Sequence, residues 1–152
     1  MTLFEKIKIL LSDNGVKYRQ FKHEPVFTSQ DAARIRDEDP RIGAKALVFV
    51  ADGKPILIVI PGDRKVNTSV FKKTYSTKDL RMATPEEVLE YTSVPIGAVP
   101  PFGNVIGLKT YCDKNLLQVE DIAFNAGEHT ITIKMRAKDY QELVNPIVGS
   151  FT

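Results

Sequence analysis

The chain has 152 residues, of which 43% are hydrophobic and 26% are charged, and its formal net charge is +2. This length predicts one domain over residues 1–152. The charge is too small for a protein that wraps long nucleic acid, but it allows contact with a few phosphates. No apolar run approaches the ~20 residues of a membrane span, and the N-terminus lacks the pattern of a secretory signal. We therefore expect a cytoplasmic protein with no membrane partner.

Cysteine and histidine usage argues against metal or thiol chemistry. One cysteine, Cys112, and two histidines, His23 and His129, show no metal-ligand spacing. The pair His23-Glu24 resembles the start of a zincin helix, but Phe27 stands where the second histidine is needed. Nothing marks Cys112 as activated, and we interpret it as a packing residue. The sequence predicts no metal and no cofactor, and an enzyme of this composition would catalyse by positioning its substrate.

Helix-capping patterns and apolar residues at helical spacing predict five helices. They run from Thr2 to Gly15, from Thr28 through residue 35, from Asn67 through Phe71, from Thr84 to Tyr91 and from Ala137 to Val144. The acidic run at residues 37–39, before Pro40, is predicted to be a solvated loop.

Continuous or alternating apolar residues predict strands between these helices. The strands cover residues 16–21, 44–50, 56–60, 105–111 and 130–135, and residues 116–124 form a further segment. Residues 44–50 and 56–60 read as a hairpin around Asp52-Gly53 and are the best core candidates. The elements interleave without a regular βαβ rhythm or a Gly-rich phosphate loop. The pattern therefore predicts an irregular mixed α/β sheet rather than a Rossmann fold.

Residues 97–103, Gly-Ala-Val-Pro-Pro-Phe-Gly, form the most unusual segment, which we call the Gly97 loop. Two prolines restrict the backbone and remove N–H groups, whereas Gly97 and Gly103 can adopt positive φ or allow a ligand to approach the main chain. Such a loop either presents main-chain groups to a ligand or serves as a rigid connector.

Two candidate site residues lie at the starts of predicted strands. Period-2 counting places Lys45 on the face of Leu47 and Phe49, where it either covers apolar surface with its stem or directs an ammonium into a cleft. His129 is in register with Ile131 just after the turn at residues 125–128, and it is either a structural histidine or a contact for a polar substrate group.

Four motifs in this order resemble the YbaK family of aminoacyl-tRNA deacylases, which is related to the editing insertion domain of bacterial prolyl-tRNA synthetase. They are HEPVFT at residues 23–28, GAKALVF at 43–49, GAVPPFG at 97–103 and NAGEH at 125–129. The resemblance covers nearly the whole chain. It implies a compact α/β domain with a mixed, partly barrel-like β-sheet flanked by helices, which hydrolyses the ester of mischarged tRNA without a metal.

The resemblance also implies site residues. The catalytic set is Lys45, Gly97, Pro101 and His129, and the substrate-binding set is Ala46, Ala98, Val99, Pro100, Phe102, Gly103, His23 and Thr28. In this interpretation Lys45 contacts the terminal phosphate or the ester, residues 97–101 bind the aminoacyl end, and His129 contacts the α-amino or ribose group. The partner is the 3′ terminus of aminoacyl-tRNA, and a prolyl-tRNA synthetase is a candidate second partner. The alternatives are a non-catalytic module that binds tRNA ends or docks on a synthetase, and a partner-binding domain with no nucleic-acid role.

One departure from the family pattern bears on specificity. Family members that resemble the alanine-specific free-standing editor carry Asn directly after the lysine, whereas this chain has Ala46, which strand parity points away from the Lys45 face. An apolar site then selects by size, so we expect activity on alanine, serine, threonine or cysteine and none on proline.

Overall fold

The computed structural model describes residues 1–36 and 39–152, so the predicted loop at residues 37–39 lies largely outside the described residues. The helices are α1 (Leu3–Asp13), α2 (Ser29–Arg36), α3 (Thr68–Thr74), α4 (Pro85–Thr92), α5 (Gly103–Ile106) and α6 (Ala137–Val144). The strands are β1 (Tyr18–Lys22), β2 (Ala44–Ala51), β3 (Lys54–Pro61), β4 (Leu80–Met82), β5 (Lys109–Asp113), β6 (Asp121–Asn125), β7 (Ile131–Arg136) and β8 (Ile147–Gly149). Short 3-10 helices lie at Pro40–Ile42 and Leu116–Gln118.

The strands form two sheets. One has the order β1-β7-β6 and is antiparallel, and the other has the order β4-β2-β3-β5-β8. In the second sheet β2 pairs antiparallel with β3 and β4, whereas the pairs β3–β5 and β5–β8 are parallel. A parallel bridge between Gly43 and Ala123 connects the sheets where β2 begins. The prediction of a mixed α/β sheet is confirmed, and the sheets approach each other at this bridge without closing into a barrel.

The β2–β3 hairpin forms the centre of the core. Asp52 (φ 49°) and Gly53 (φ 81°) both have positive φ, as the tight turn that matches strand twist requires. Val48 and Leu57 pack in one apolar cluster and Phe49 and Ile58 in another, so both faces of the hairpin are buried. Burial on both faces explains why these segments are continuously apolar rather than alternating.

The five predicted helices are confirmed, and side-chain N-caps explain where three of them begin. Thr2 and Glu5 form a capping box on α1, and Thr84 and Glu87 form a second on α4, where Pro85 occupies the first turn. Asn67 caps α3 through its side chain. Val88 of α4 is buried in the same core cluster as Val48 and Leu57, so α4 packs against the β2–β3 hairpin.

The strand predicted at residues 105–111 is wrong in its first half. Residues 103–106 form the short helix α5, because the Phe102 carbonyl accepts the N–H groups of Val105 and Ile106. Gly107, at φ 91°, ends this turn, and the strand begins only at Lys109. The edge strands β4 and β8, of three residues each, were not predicted.

Candidate functional site

A cavity of about 390 Å³ opens between the start of β2, strand β6, helix α4 and the Gly97 loop. Lys45 and Gly97 both line it, so the fold brings together two predicted catalytic residues that are far apart in the sequence. The predicted binding residues Ala46, Val99 and Thr28 also line it. Further lining residues, which the sequence analysis did not single out, include Phe27, Gln30, Lys65, Val88, Phe124 and Asn125.

Lys45 contributes a half-buried ammonium at the edge of this cavity. Its Nζ donates a hydrogen bond to the carbonyl oxygen of Arg64 at 2.8 Å, which fixes the side chain toward the loop after β3. Burial lowers the pKa of Lys45 below its ordinary value; the nearby Lys65 lowers this pKa further, and Asp63 opposes the shift. Because an ammonium has three donors, Lys45 can hold Arg64 and still bind an anion in the cavity.

The Gly97 loop presents two unpaired main-chain donors. Within residues 1–36 and 39–152, the N–H groups of Gly97 and Val99 have no hydrogen-bond acceptor, whereas the N–H of Ala98 donates to the Pro95 carbonyl at 3.0 Å. Gly97 has φ 85°, a conformation that favours glycine. Gly97 and Val99 both line the cavity, so these two donors lie beside it.

Three consecutive carbonyls beside these donors are held by residues 125–129, which we call the Asn125 turn. The Ile96 carbonyl lies 2.9 Å from Nε2 of His129, and the Gly97 carbonyl accepts from Nδ2 of Asn125 at 2.8 Å. The Ala98 carbonyl accepts the N–H of Gly127 at 2.9 Å. The cavity-facing half of the Gly97 loop is therefore fixed from behind by a single turn.

His129 lies behind the Gly97 loop rather than in the cavity lining. Its ring is half-buried and packs against Phe27, with 4.6 Å between ring centroids. A Cβ added to Gly97 would lie 3.1 Å from Nε2 of His129, so the imidazole leaves little room for a side chain at position 97. This position fits the structural interpretation of His129 that the sequence analysis left open.

His23 and Thr28, both predicted to bind substrate, occupy different surroundings. His23 lies outside the cavity lining, with Nδ1 at 2.7 Å from the Glu24 carbonyl and Nε2 at 2.7 Å from the hydroxyl of Thr132. Thr28 lines the cavity, and its hydroxyl accepts the N–H of Asp31 at 3.0 Å at the start of α2. Of the two, only Thr28 is placed where it could reach a ligand in the cavity.

The second half of the Gly97 loop is part of the core. The predicted site residues Ala98, Pro100, Pro101, Phe102 and Gly103 are buried and lie outside the cavity lining. The Pro101 carbonyl accepts the hydroxyl of the fully buried Tyr140 at 2.7 Å. A Cβ on Gly103 would overlap the Thr110 hydroxyl and the Leu108 carbonyl. This half acts as the rigid connector that was the alternative interpretation of the loop.

Ala46 lines the cavity, on the opposite face of β2 from Lys45. Parity does separate Lys45 from Ala46, since Ala46 packs against the cluster that contains Val48 and Val99, but the cavity lies on that side of β2. Lys45 reaches the same cavity from the end of the strand, where the β2 edge meets the loop after β3. Position 46, where alanine-specific editors carry Asn and this chain has Ala, therefore lines the cavity.

The remaining reactive groups lie away from this site. Burial raises the pKa of the Cys112 thiol to about 12, so it is protonated at neutral pH, and its side chain is buried in the core. Among the described residues, no group of three or more His, Cys, Asp or Glu side chains could hold a metal ion. No helix in the described part of the chain is long and apolar enough to cross a membrane.

Comparisons with known proteins agree with this arrangement. Residues 23–143 match the family model of the aminoacyl-tRNA editing domain. The chain therefore belongs to the aminoacyl-tRNA editing domain family. The match includes all four motifs on which the resemblance to the YbaK family was based, and it includes every residue named in the cavity.

Curated relatives support the same family, and a solved structure shares the fold. The multifunctional Ser/Thr-tRNA deacylase ProXp-y of Escherichia coli (strain K12) is 30% identical over 97% of this chain and 91% of its own length. The proline–tRNA ligase of Solidesulfovibrio magneticus is 42% identical over 51% of this chain, which corresponds to 13% of that larger enzyme. A crystal structure described as a candidate trans-editing enzyme for prolyl-tRNA synthetase superimposes with a TM-score of 0.84 at 24% identity, over 100% of this chain and 98% of that one.

Proposed function

We propose that this protein is a trans-editing aminoacyl-tRNA deacylase, which hydrolyses the ester between a small amino acid, namely alanine, serine, threonine or cysteine, and the 3′-terminal adenosine of mischarged tRNA. The observation that carries the proposal is the cavity with the Lys45 ammonium at its edge and the unpaired N–H groups of Gly97 and Val99 on its wall. A cation can bind the phosphate of the terminal nucleotide, and fixed main-chain donors can stabilise the negative charge that develops on the ester during hydrolysis.

The reaction needs little beyond positioning. Water attacks the ester carbonyl carbon, the carbonyl oxygen becomes a tetrahedral oxyanion, and the bond to the ribose oxygen then breaks while that oxygen takes up a proton. The products are a free amino acid and a tRNA with an intact terminal ribose. In our proposal the Gly97 and Val99 N–H groups bind the oxyanion, and Lys45 binds the terminal phosphate or the ester. Fixed donors in a partly dry site are worth more than the same donors in water.

The apolar walls of the cavity favour selection by side-chain size. Ala46, Val48, Val88 and Val99 contribute apolar surface, and the polar lining residues are Thr28, Gln30, Lys45, Lys65 and Asn125. An apolar wall distinguishes one methylene by about 1–3 kcal/mol, so neighbouring small residues are discriminated only weakly. The name of the Escherichia coli relative, which cites both serine and threonine, agrees with such breadth.

We also propose that residues 1–152 act as one editing domain in the cytoplasm, where charged tRNA is used. Helix α1 precedes the matched residues 23–143, yet its Ile7 and Leu11 are buried in the same core cluster as Val99 and Phe124. That packing supports the inclusion of α1 in the domain. The soluble substrate supports the location.

Turnover on mischarged tRNA tests the function. Purified protein is added in a small fraction of the concentration of tRNA that carries labelled serine or threonine, with and without EDTA. We expect release of free amino acid well beyond one equivalent of protein, and the same rate with EDTA, because the site chemistry uses no metal. Binding without release would indicate a non-catalytic tRNA-end module, and release that requires added zinc would contradict the mechanism.

A further inference from the structure

We infer that the Asn125 turn is a positioning device that aims the N–H groups of Gly97 and Val99 into the cavity, and that His129 acts through the loop rather than on the substrate. The inference rests on the proposed function, since it assigns the loop geometry to that reaction. It replaces the expectation that His129 contacts the α-amino or ribose group.

Peptide planarity connects the held carbonyls to the free donors. In a trans peptide the C=O of one residue and the N–H of the next point in opposite directions, and the described residues contain no cis peptide. Holding the Ile96 carbonyl on His129 therefore directs the Gly97 N–H away from the turn, and holding the Ala98 carbonyl on Gly127 directs the Val99 N–H the same way. Main-chain N–H groups on one side of a turn make an anion-binding concavity.

Asn125 completes this arrangement from a strand end. Its Nδ2 donates to the Gly97 carbonyl, whereas its Oδ1 is buried and has no partner among the described residues. A buried acceptor without a partner is unfavourable, so the contribution of Asn125 is its donor. Without that donor the Gly97 carbonyl could rotate toward the cavity, and the following peptide would lose its orientation.

The role of His129 makes a specific claim about its protonation. Nε2 can donate to the Ile96 carbonyl in the neutral Nε2-protonated tautomer and also in the imidazolium form, because both carry a hydrogen on Nε2. If His129 only positions the loop, the deacylation rate constant has the same pH dependence with and without this histidine. If His129 accepts or donates a proton in the reaction, its replacement changes that pH dependence.

The test compares four variants in single-turnover deacylation and in tRNA binding. His129→Leu and Asn125→Asp remove the donors, His129→Gln keeps an amide donor, and Glu128→Ala is the control because Glu128 is exposed in the same turn. We expect the first two to lower the rate constant by roughly a hundredfold, as misplacement of reacting groups does, with little change in tRNA affinity. His129→Gln should recover most of the rate, and Glu128→Ala should match the wild type.

Other outcomes overturn the inference in recognisable ways. If His129→Gln is as slow as His129→Leu, or if wild-type activity titrates near the pKa of histidine and the variants lose that titration, then His129 acts on the substrate. If all variants match an active wild type, the turn is irrelevant and the proposed function stands. If the wild type releases no amino acid, the proposed function fails; nitrogen-15 NMR of the imidazole then still tests the arrangement, because a ring without hydrogen on Nε2 contradicts it.

A second observation, independent of the carbonyl contacts, concerns Phe27. This side chain is 68% exposed although it is a large aromatic, and it lines the mouth of the cavity. One side of its ring packs on His129, and the main chain beside it is fixed because the Val26 N–H donates to the His129 carbonyl at 3.1 Å. An anchored aromatic ring with a free face beside a site for a nucleoside ester is suited to stack a base.

We propose that Phe27 stacks on the terminal adenine of the substrate, which also rests on the proposed function. Stacking of one base on an aromatic ring is worth about 1–3 kcal/mol, so Phe27→Ala should weaken binding of uncharged tRNA and of adenosine monophosphate alike by roughly tenfold or more. Phe27→Trp should retain affinity because it keeps a π face. Phe21, an aromatic residue that is 39% exposed and lies outside the cavity lining, provides the matched control in Phe21→Ala.

The outcomes separate this proposal from the function. Equal binding of adenosine monophosphate by wild type and Phe27→Ala contradicts the stacking role, even if deacylation is intact. Loss of binding in both Phe27→Ala and Phe27→Trp also contradicts it, because shape rather than a π face would then matter. Weakened binding in Phe27→Ala together with no deacylation by the wild type would leave the stacking site in place and overturn the deacylase assignment.

Discussion

Replacement of Lys45 should lower the deacylation rate while the protein remains folded. Its Nζ donates a hydrogen bond to the Arg64 carbonyl and its side chain is half-buried, so truncation removes this ammonium from the cavity edge with little loss of packing. We expect Lys45→Ala to reduce the deacylation rate constant at least a hundredfold, the usual effect of losing a group that stabilises charge in the transition state.

The control for Lys45→Ala is Lys54→Ala. Lys54 is exposed at the opposite end of the same hairpin, so its replacement changes the net charge equally. Single-turnover rates and circular dichroism should be measured on both variants. A near wild-type rate for a folded Lys45→Ala protein would remove Lys45 from the mechanism.

Two glycines of the Gly97 loop should respond to the same substitution in different ways. Gly97→Ala introduces a Cβ at φ 85° and 3.1 Å from His129, next to the cavity, so we expect it to lower the rate while the protein remains folded. Gly103→Ala places a Cβ on the Thr110 and Leu108 atoms in the core, so we expect it to destabilise the fold. Thermal unfolding beside single-turnover assays distinguishes the two; a Gly97→Ala protein as active as wild type would contradict the site.

At the scale of elements, helix α4 is tied to strand β4 by a charge-assisted contact that depends on pH. Hydrogen bonds from two residues lower the pKa of Glu87 to about 2 from its ordinary value of 4.5. The larger effect comes from Arg81 and the smaller from the Thr84 N–H. A depressed carboxyl pKa stabilises the fold above the unfolded value and loses that contribution as the pH falls toward the folded value. This contribution is therefore complete above about pH 5 and declines toward pH 2.

Glu87→Gln tests that contribution because glutamine preserves the capping box. We expect the variant to be less stable than wild type at neutral pH, and the difference between the two melting temperatures to shrink as the pH falls from about 5 to about 2. Other carboxyl groups titrate in both proteins and cancel in the difference. A difference that stays constant over this range would show that the ion pair adds nothing to stability.

The sequence predicted the elements well where local signals were strong. Thr2, Asn67 and Thr84 begin helices because their side chains accept main-chain N–H groups, and such caps are visible in the sequence. Helix α5 was missed because its four residues carry no side-chain cap and a strand pattern follows directly. Edge strands β4 and β8 are too short for periodicity to reveal, and they form because β2 and β5 present unpaired edges.

The site was predictable in its chemistry but not in its assembly. Lys45 and Gly97 could be singled out by residue type and spacing, and the fold places both in one cavity. The contact of Asn125 with Gly97 joins residues 28 positions apart and leaves no local signal. Strand parity correctly separated Ala46 from Lys45, but the side of β2 that bears the cavity depends on where α4 and the Gly97 loop pack, so parity alone could not show that Ala46 lines it.

At the scale of the whole molecule, the two sheets and the Gly97 loop form a small enclosure around the cavity, which we propose binds the 3′ end of the tRNA. The bridge between Gly43 and Ala123 places β2 and β6 side by side, so that one wall carries Lys45 and the other carries Asn125. With a net charge of only +2, affinity for tRNA should rest on the terminus held in this enclosure more than on contacts along the phosphate backbone. Hydrolysis then depends on which aminoacyl group fits.

The most direct test of the proposed function is a set of single-turnover rate constants for tRNAs that carry alanine, serine, threonine, cysteine or proline, measured with the same preparation of protein. The proposed function predicts hydrolysis of the ester of each small residue, with rate constants within roughly a thousandfold of one another because apolar walls separate these residues by only a few kcal/mol, and little or no hydrolysis of prolyl-tRNA. Release of proline as fast as serine, or no release of any amino acid, would contradict it.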